Sequence, residues 1–189
     1  GNHTVLDDKN IRLPETWLPG NNPGVTKDNK ATDAGRGTQK DVWHVEDIID
    51  RGYALATVYC GDIEPDRADQ RTGVQAHFRG KGEKQGHPQD WGTIAAWAWG
   101  VQRIVDYLVA DPDLDAGRII VVGHSRLGKT ALLAGAFDER IAVIMPHQAG
   151  CGGTAPSRNR NPKAESVQRI NTSFPHWFSA TFKELTAAT

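Results

Sequence analysis

A run of β-branched residues that leads straight into a glycine-bounded turn limits the folds open to this chain. Arg118 to Val122 reads as a buried β-strand, Gly123 to Gly128 follow at once, and a helical stretch continues to Phe137. An apolar run without polar alternation suits a strand that is covered on both faces of a parallel sheet. The strand, the sharp turn and the helix together predict one unit of an α/β fold.

Further segments extend the same pattern. Tyr53 to Tyr59 predicts another buried strand, and a short helix is predicted before it over Val45 to Arg51. Thr93 to Ala110 places its large apolar side chains on one helical stripe and predicts an amphipathic helix with Trp97 in the core. Ile141 to Met145 predicts a third strand. Strands and helices in this order predict an α/β fold with parallel strands.

The length of 189 residues predicts one domain over residues 1–189, with a long loop insertion over 61–89. That segment is charged, and loops of this length are usually functional or mobile. A complete α/β enzyme needs more residues, and the chain does not begin with Met, so we expect an internal fragment of a longer protein. The acidic residues near the start of the 61–89 segment are Asp62, Glu64, Asp66 and Asp69.

Composition excludes several classes of partner. The chain has 22 Lys+Arg against 23 Asp+Glu, so no sequence-wide basic field favours nucleic acid. No apolar run approaches the roughly 18 residues that a membrane span needs. Cys60 and Cys151 leave three options open, namely one disulfide, two buried thiols, or pairing with cysteines outside this stretch. Neither cysteine belongs to a CxxC motif, so no metal site is predicted.

The turn after Val122 fits a nucleophile elbow. In such a turn the hydroxyl of Ser125 is exposed at the carboxyl edge of the sheet, and the next backbone N–H faces developing negative charge. The usual G-x-S-x-G pattern is displaced here, because Leu127 stands where the second glycine is expected and Gly128 follows it. The pattern therefore indicates a nucleophile with one irregularity.

The same turn fits a second chemistry. Residues 123–130 satisfy G-x-x-x-x-G-K-[ST], a phosphate-binding loop in which Lys129 and Thr130 would hold a nucleotide phosphate and Mg²⁺. ATPases with this loop usually carry a second apolar strand that ends in an acidic Mg²⁺ ligand. The strand predicted over 141–145 ends without a carboxylate, and this absence favours the elbow. Asp62 is the one fair candidate for the acidic Mg²⁺ ligand. A glycine-containing turn without chemistry is the third alternative.

Several blocks spread along the chain match one enzyme family together. They are 1–5 (GNHTV), 91–94 (WGTI), 96–100 (AWAWG), 123–132 (GHSRLGKTAL), 150–153 (GCGG) and 170–178 (INTSFPHWF). This combination resembles the bacterial glucuronoyl esterases, also called 4-O-methyl-glucuronoyl methylesterases, which are carbohydrate esterases of the α/β-hydrolase fold. Their nucleophile motif has an Arg after the Ser and a Gly-Lys two residues further on. The resemblance thus accounts for the displaced glycine and makes the phosphate-loop match a coincidence.

The resemblance implies an α/β-hydrolase fold that is incomplete at both ends. It also implies a serine esterase that needs no cofactor or metal and cleaves esters between 4-O-methyl-glucuronate of xylan and alcohols of lignin. Ser125 would be the nucleophile, and Arg126 would stabilise the oxyanion through its backbone N–H and its guanidinium. Lys129 and Glu165 would bind sugar hydroxyls, and Trp177 would meet a sugar face.

Two departures from the family pattern concern the proton relay. Gln148 occupies the place where many members have the catalytic acid, and a glutamine cannot ionise. The catalytic histidine comes late in the family, in a segment that this sequence does not contain. We therefore expect the catalytic histidine and acid to lie outside this chain and the chain alone to be inactive. His147 is the one internal candidate near the carboxyl edge, and His124 is expected to point into the fold.

The resemblance also bears on partners and location. It implies a glucuronoxylan or lignin-carbohydrate ester as the substrate, and we expect a monomer without a nucleic-acid or membrane partner. Because that substrate is polymeric, we expect a secreted or periplasmic enzyme. Two alternatives of a different class stay open, a nucleotide-binding module on residues 123–130 and a non-catalytic carbohydrate-binding relative.

Overall fold

The computed structural model describes residues 1–79, 87–158 and 161–187, which divide into two compact units, Gly1–Pro65 and Asp66–Thr189. The boundary between the units falls inside the segment that the sequence predicts as a long loop. The single domain over 1–189 stays a prediction.

Short helices dominate the described residues. The α-helices are α1 (Lys40–Trp43), α2 (Val45–Asp50), α3 (Cys60–Ile63), α4 (Val74–Phe78), α5 (Thr93–Ala110), α6 (Arg126–Ala136) and α7 (Val167–Ser173). The strands are β1 (Ile119–His124) and β2 (Ile141–His147). Further 3-10 helices cover Asn2–Thr4, Asp33–Gly35, Ala116–Arg118 and Ala180–Ala187. Within the described ranges, no helix is both long and apolar enough to cross a membrane.

Hydrogen bonds from side chains to the backbone hold the first unit together, since its regular elements are short. The Arg36 guanidinium donates to the carbonyls of Asp8 and Ile11, each over 2.7 Å. Asn2 Nδ2 donates to the carbonyl of Thr57 over 3.0 Å. These contacts satisfy carbonyl groups that no sheet pairs, because the segment is rich in Pro, Gly and Asn.

The strand predicted over Tyr53 to Tyr59 is wrong. The structure assigns no strand there, and Tyr53 is 57% exposed where burial on both faces was expected. A strand needs a neighbour to accept and donate its backbone hydrogen bonds, and no described residue pairs with this segment in a ladder. The short helix before it is confirmed, since α2 covers Val45–Asp50.

The segment 61–89 is only partly irregular. The end of α3 and the whole of α4 lie within it. Residues 64–73, 79 and 87–89 are irregular as predicted, and residues 80–86 of the predicted loop lie outside the described residues.

The longest element, α5, confirms the amphipathic helix predicted over Thr93 to Ala110. It ends before Asp111, which is extended because the residue before a proline avoids the helical region. Trp97 is fully buried, as predicted. The core between helices and sheet consists of Ala98, Val105, Ala134 and Ile141, with Val101, Val109, Ile119, Val121, Leu133 and Ile144 packed against it.

The first turn of α5 anchors the segment that carries His176 and Trp177. The backbone N–H groups of Thr93 and Ile94 donate to the carbonyls of His176 (2.9 Å) and Trp177 (3.1 Å). These carbonyls satisfy N–H groups that a helix N-terminus leaves unpaired. A Cβ on Gly92 would lie 2.3 Å from the Trp177 carbonyl oxygen, so only glycine permits this approach.

A two-stranded parallel sheet, β1 beside β2, connects through α6 and pairs Val121 with Ile144 and Gly123 with Pro146. These strands confirm the predictions over 118–122 and 141–145, with the ends extended by two residues. Their expected burial on both faces is wrong, because α5 and α6 cover one face while Val122 and Met145 on the other are exposed. Burial along β1 alternates, as in a strand packed on one side.

Cys60 and Cys151 are not joined by a disulfide. Cys60 is partly exposed and Cys151 is buried. One of the three options, a bridge between them, is therefore wrong.

Candidate functional site

Ser125 stands alone between β1 and α6 in a strained turn. Its φ of 56° and ψ of −121° are unusual for any residue with a side chain. Its backbone N–H donates to the His147 carbonyl (2.9 Å), and its own carbonyl accepts from the N–H groups of Gly128 (2.9 Å) and Lys129 (3.1 Å). The strand edge and the helix start thus hold the residue at the carboxyl end of the sheet, which is the geometry of a nucleophile elbow.

Two glycines make this turn possible. A Cβ on Gly123 would lie 2.0 Å from the carbonyl oxygen of Leu127, which leaves no room for any side chain. A Cβ on Gly128 would come within 3.1 Å of the carbonyl oxygens of Gly123 and His147. The displaced glycine at 128 therefore serves the packing of α6 against both strands, and the irregular spacing leaves the elbow intact.

The Arg126 side chain lies over a pair of aromatic rings next to the elbow. Its guanidinium carbon is 4.8 Å from the Trp177 ring centroid and 5.3 Å from that of Phe174. Phe174 and Trp177 stack in parallel with their centroids 3.9 Å apart. Arg126 Nη1 donates to Asp66 Oδ2 in an ion pair. A cation at the N-terminus of α6, one residue after Ser125, can stabilise negative charge that develops at the serine.

Asp66 joins three donors and was not predicted as a site residue. Besides Arg126, it accepts hydrogen bonds at Oδ1 from His176 Nε2 (2.8 Å) and Trp177 Nε1 (2.9 Å). Burial alone would raise the pKa of Asp66, but the hydrogen bonds from His176 and Trp177 and the charge of Arg126 outweigh it, so the pKa is lowered. The carboxylate is therefore ionised at neutral pH. No sequence motif marks it within its acidic segment.

Lys129 and Glu165 form a buried ion pair. Lys129 Nζ donates to Glu165 Oε2 over 2.7 Å, and the lysine side chain is 1% exposed against 28% for the glutamate. The N–H of Cys151 donates to the same carboxylate oxygen (3.1 Å). A Cβ on Gly150 would lie 2.3 Å from that oxygen, so the glycine-rich segment 150–153 makes room for the carboxylate.

Removing the Glu165 carboxylate should destabilise the fold. Glu165→Ala leaves the Lys129 ammonium buried without its carboxylate, and we expect a loss of roughly 3 kcal/mol, at the low end for buried pairs because Glu165 is partly exposed. Urea unfolding of the complete protein measures this. Glu139→Ala, at an exposed position, is the control and should change little. Lys129→Met added to Glu165→Ala should recover stability, and an unchanged midpoint for Glu165→Ala alone would contradict the expectation.

Trp177 does not offer the sugar-facing surface that was predicted for it. Its ring is 1% exposed, and Phe174 stacks on it. The guanidinium carbon of Arg126 and the ammonium nitrogen of Lys129 lie 4.8 and 5.5 Å from its ring centroid. Because the indole N–H also donates to Asp66, the residue supports both cations of the site.

Gln148 and two histidines meet at the carboxyl end of the sheet. Gln148 has a φ of 48°, and its Oε1 lies 2.9 Å from His124 Nε2. The rings of His124 and His147 are 5.1 Å apart and both residues are exposed, so the expectation that His124 points into the fold is wrong. Among the hydrogen bonds of the described residues, none joins the Ser125 hydroxyl to an imidazole. The location of the catalytic histidine and acid outside this chain stays a prediction.

The geometry does not favour a nucleotide-binding loop. Only Ser125 separates β1 from α6, so no loop is long enough to wrap a phosphate. Lys129 is buried against Glu165, and the Thr130 hydroxyl donates to the Arg126 carbonyl (3.1 Å). The strained φ of Ser125 also argues against a turn without chemistry. Over residues 1–79, 87–158 and 161–187, no cluster of three or more metal-ligating His, Cys, Asp or Glu side chains is present.

Comparison with known proteins gives a consistent result. A family model described as "Glucuronyl esterase, fungi" matches residues 42–189. A curated carbohydrate esterase, MZ0003, from an unknown prokaryotic organism is 48% identical over 97% of this chain and 42% of its own length. A 4-O-methyl-glucuronoyl methylesterase from Hypocrea jecorina is 37% identical over 58% of this chain and 26% of its own.

Solved structures agree with the sequence comparison. A promiscuous CE15 esterase from a marine bacterial metagenome has a TM-score of 0.85 and 46% identity over 98% of this chain. A glucuronoyl esterase from Solibacter usitatus has a TM-score of 0.85 and 42% identity over 98% of this chain. The chain covers 46% of each of these structures, so it spans less than half of their length. The shared structure confirms the α/β-hydrolase fold class, and the chain belongs to the glucuronyl esterase family.

Proposed function

We propose that the complete protein is a serine carboxylic-ester hydrolase that cleaves esters between glucuronate, or its 4-O-methyl form, and an alcohol. The observation that carries this proposal is the strained elbow at Ser125, which Arg126 follows directly as the first residue of α6. Strain of this kind persists where the surrounding structure fixes it, and it is typical of functional sites. The names of the relatives support the same reaction.

In the proposed reaction the Ser125 hydroxyl oxygen adds to the ester carbonyl while a histidine takes its proton. The backbone N–H and guanidinium of Arg126 stabilise the resulting oxyanion. The alcohol leaves with the proton from the histidine, and water then releases the uronate from Ser125 by the reverse sequence. The histidine and its acid partner come from the part of the protein beyond this chain. Metal and cofactor have no step in this mechanism.

Glu165 and Lys129 bind the sugar in this proposal. Glu165 is 28% exposed and Lys129 only 1%, so the glutamate is the member of the pair that a sugar hydroxyl reaches first. The lysine ammonium donates a hydrogen bond to that carboxylate and so fixes its position for the sugar hydroxyls. Trp177 contributes through Arg126, Lys129 and Asp66, which it contacts, and has no sugar-stacking role.

The alcohol part of the ester and the place where the enzyme acts both follow from the polymeric substrate. A glucuronate ester on xylan, linked to alcohols of lignin, is the substrate that the family resemblance implies. Such a polymer does not enter cells, so the enzyme acts as a secreted protein in the breakdown of plant cell walls.

The first test is release of benzyl alcohol from benzyl glucuronate by the protein extended to its natural ends. Benzyl hexanoate serves as the comparison ester, since it has the same leaving group and no sugar. We expect turnover of the uronate ester with a kcat/KM at least about 10²-fold above that of the hexanoate, because several polar contacts to the sugar add up. Calorimetric binding of glucuronate without turnover of either ester would favour the non-catalytic carbohydrate-binding alternative. Equal turnover of both esters would contradict the sugar assignment.

A further inference from the structure

We propose that Asp66 is a positioning residue of the esterase site, which holds the Arg126 guanidinium in the place where it meets the oxyanion. The inference rests on the proposed function, because the guanidinium matters for catalysis only if Ser125 forms an oxyanion. It adds a residue that neither sequence motifs nor the family resemblance assign.

The two carboxylate oxygens of Asp66 have different partners. Oδ2 accepts from Arg126 Nη1, while Oδ1 accepts from His176 Nε2 and Trp177 Nε1. Two ring N–H donors thus hold one oxygen, and the other faces the Arg126 cation. The Asp66 side chain is 15% exposed, so solvent has little part in setting its orientation.

The residues that donate to Asp66 are themselves held in place. The carbonyls of His176 and Trp177 accept hydrogen bonds from the first turn of α5, and the Trp177 ring is buried against Phe174. The position of the Asp66 carboxylate is therefore set by His176 and Trp177 and does not depend on a rigid backbone at Asp66. Arg126 in turn has its guanidinium against the same two aromatic rings.

Two effects of opposite sign meet at this ion pair. Asp66 neutralises part of the positive charge that would attract the oxyanion, which weakens stabilisation. It also removes the freedom of a long side chain that is 39% exposed, which strengthens stabilisation because a preorganised donor does not reorganise during the reaction. The benefit of a fixed guanidinium outweighs the loss from charge neutralisation, since a displacement of about 1 Å can cost about 10²-fold in rate. Asp66 occupies one guanidinium nitrogen and leaves the other donors of Arg126 for the substrate.

The test is a double-mutant cycle in the complete protein with benzyl glucuronate as substrate. Asp66→Asn keeps the side-chain shape but turns one oxygen into a donor, and kcat falls by roughly 10- to 100-fold with KM within about threefold. Arg126→Ala lowers kcat by about 10²- to 10³-fold. In the Arg126→Ala background, Asp66→Asn costs less than about twofold more, because Asp66 acts through Arg126. Asp69→Asn, which removes an exposed carboxylate paired with Arg67, is the control with unchanged kcat.

Full additivity of the two losses would overturn the proposal, as would a change in KM alone or unaltered kinetics of Asp66→Asn. Trp177→Phe provides a second variant if Asp66→Asn does not fold. It removes one donor to Oδ1, keeps the stack on Phe174, and lowers kcat by several-fold, again without further loss in the Arg126→Ala background.

A structural readout separates this proposal from the proposed function. Crystal structures of the complete wild-type protein and of Asp66→Asn are compared at the guanidinium carbon, which lies 4.8 Å from the Trp177 ring centroid in the wild type. The proposal predicts a displaced or multiply oriented guanidinium in the variant with an unchanged elbow. A guanidinium that stays in place overturns it. If the wild type does not hydrolyse the ester, the proposed function fails, and the guanidinium position still decides the role of Asp66.

Discussion

Ser125→Ala is expected to lower kcat for benzyl glucuronate by roughly 10⁶-fold in the complete protein, because removal of the nucleophile from a triad has an effect of that size. The hydroxyl is the only group of residue 125 that the reaction uses. Its strained backbone is fixed by hydrogen bonds to the His147 carbonyl and from the N–H groups of Gly128 and Lys129, and none of these involves the side chain. Alanine at 125 therefore keeps the turn.

A binding measurement distinguishes loss of the chemical step from loss of the folded structure. Calorimetry should show that Ser125→Ala binds glucuronate with the wild-type affinity, since Lys129, Glu165 and Arg126 are unchanged. Ser157→Ala, at an exposed position, is the matched control and should retain full activity. A residual rate above about 1% in Ser125→Ala would show that another residue or a bound water performs the attack.

Gly123→Ala is expected to destabilise the complete protein by at least about 3 kcal/mol, the upper end for inserting one methyl group into a packed site. The new Cβ would lie 2.0 Å from the Leu127 carbonyl oxygen and 2.4 Å from its carbon. Both atoms belong to the backbone of the first turn of α6, so no side chain can move aside. Relief requires the start of α6 to shift away from β1, which takes Ser125 and Arg126 with it.

Thermal or urea unfolding of Gly123→Ala measures this effect. Gly117→Ala is the control, because the nearest atom to its Cβ is a side-chain oxygen of Asp115 at 3.3 Å, and its stability should change by less than about 1 kcal/mol. A Gly123→Ala protein of wild-type stability would mean that the elbow is looser than this geometry allows. Any folded fraction should also show reduced kcat, since the helix carries the oxyanion donors.

Local patterns predicted part of this structure well. Thr93 to Ala110 forms a helix with the expected bounds, because its apolar periodicity and the Asp111-Pro112 stop both act over a few residues. The elbow was predicted for a similar reason, since a strand, a turn and a helix follow one another within twenty residues. Ser125, Arg126 and Lys129 were located by these means, although their predicted roles stay proposals.

Features that depend on distant residues were not predictable in this way. Tyr53 to Tyr59 has the composition of a strand, but a strand forms only where a neighbour pairs with it. Burial of the β-strands on one face depends on which helices cover them. Asp66 lies 60, 110 and 111 residues from Arg126, His176 and Trp177, so no spacing in the sequence joins it to them. A lone aspartate in an acidic segment carries no pattern of its own.

The ion pair between Lys129 and Glu165 has a practical consequence for engineering this site. Each residue neutralises the other, and the lysine is buried from solvent, so a saturation library at either position would score nearly every substitution as a loss. The two positions would then look immutable when tested singly. Paired libraries that replace both charges at once, for example by Met and Leu, explore variants that single-site scanning discards, and they are the route to altered sugar preference at this site.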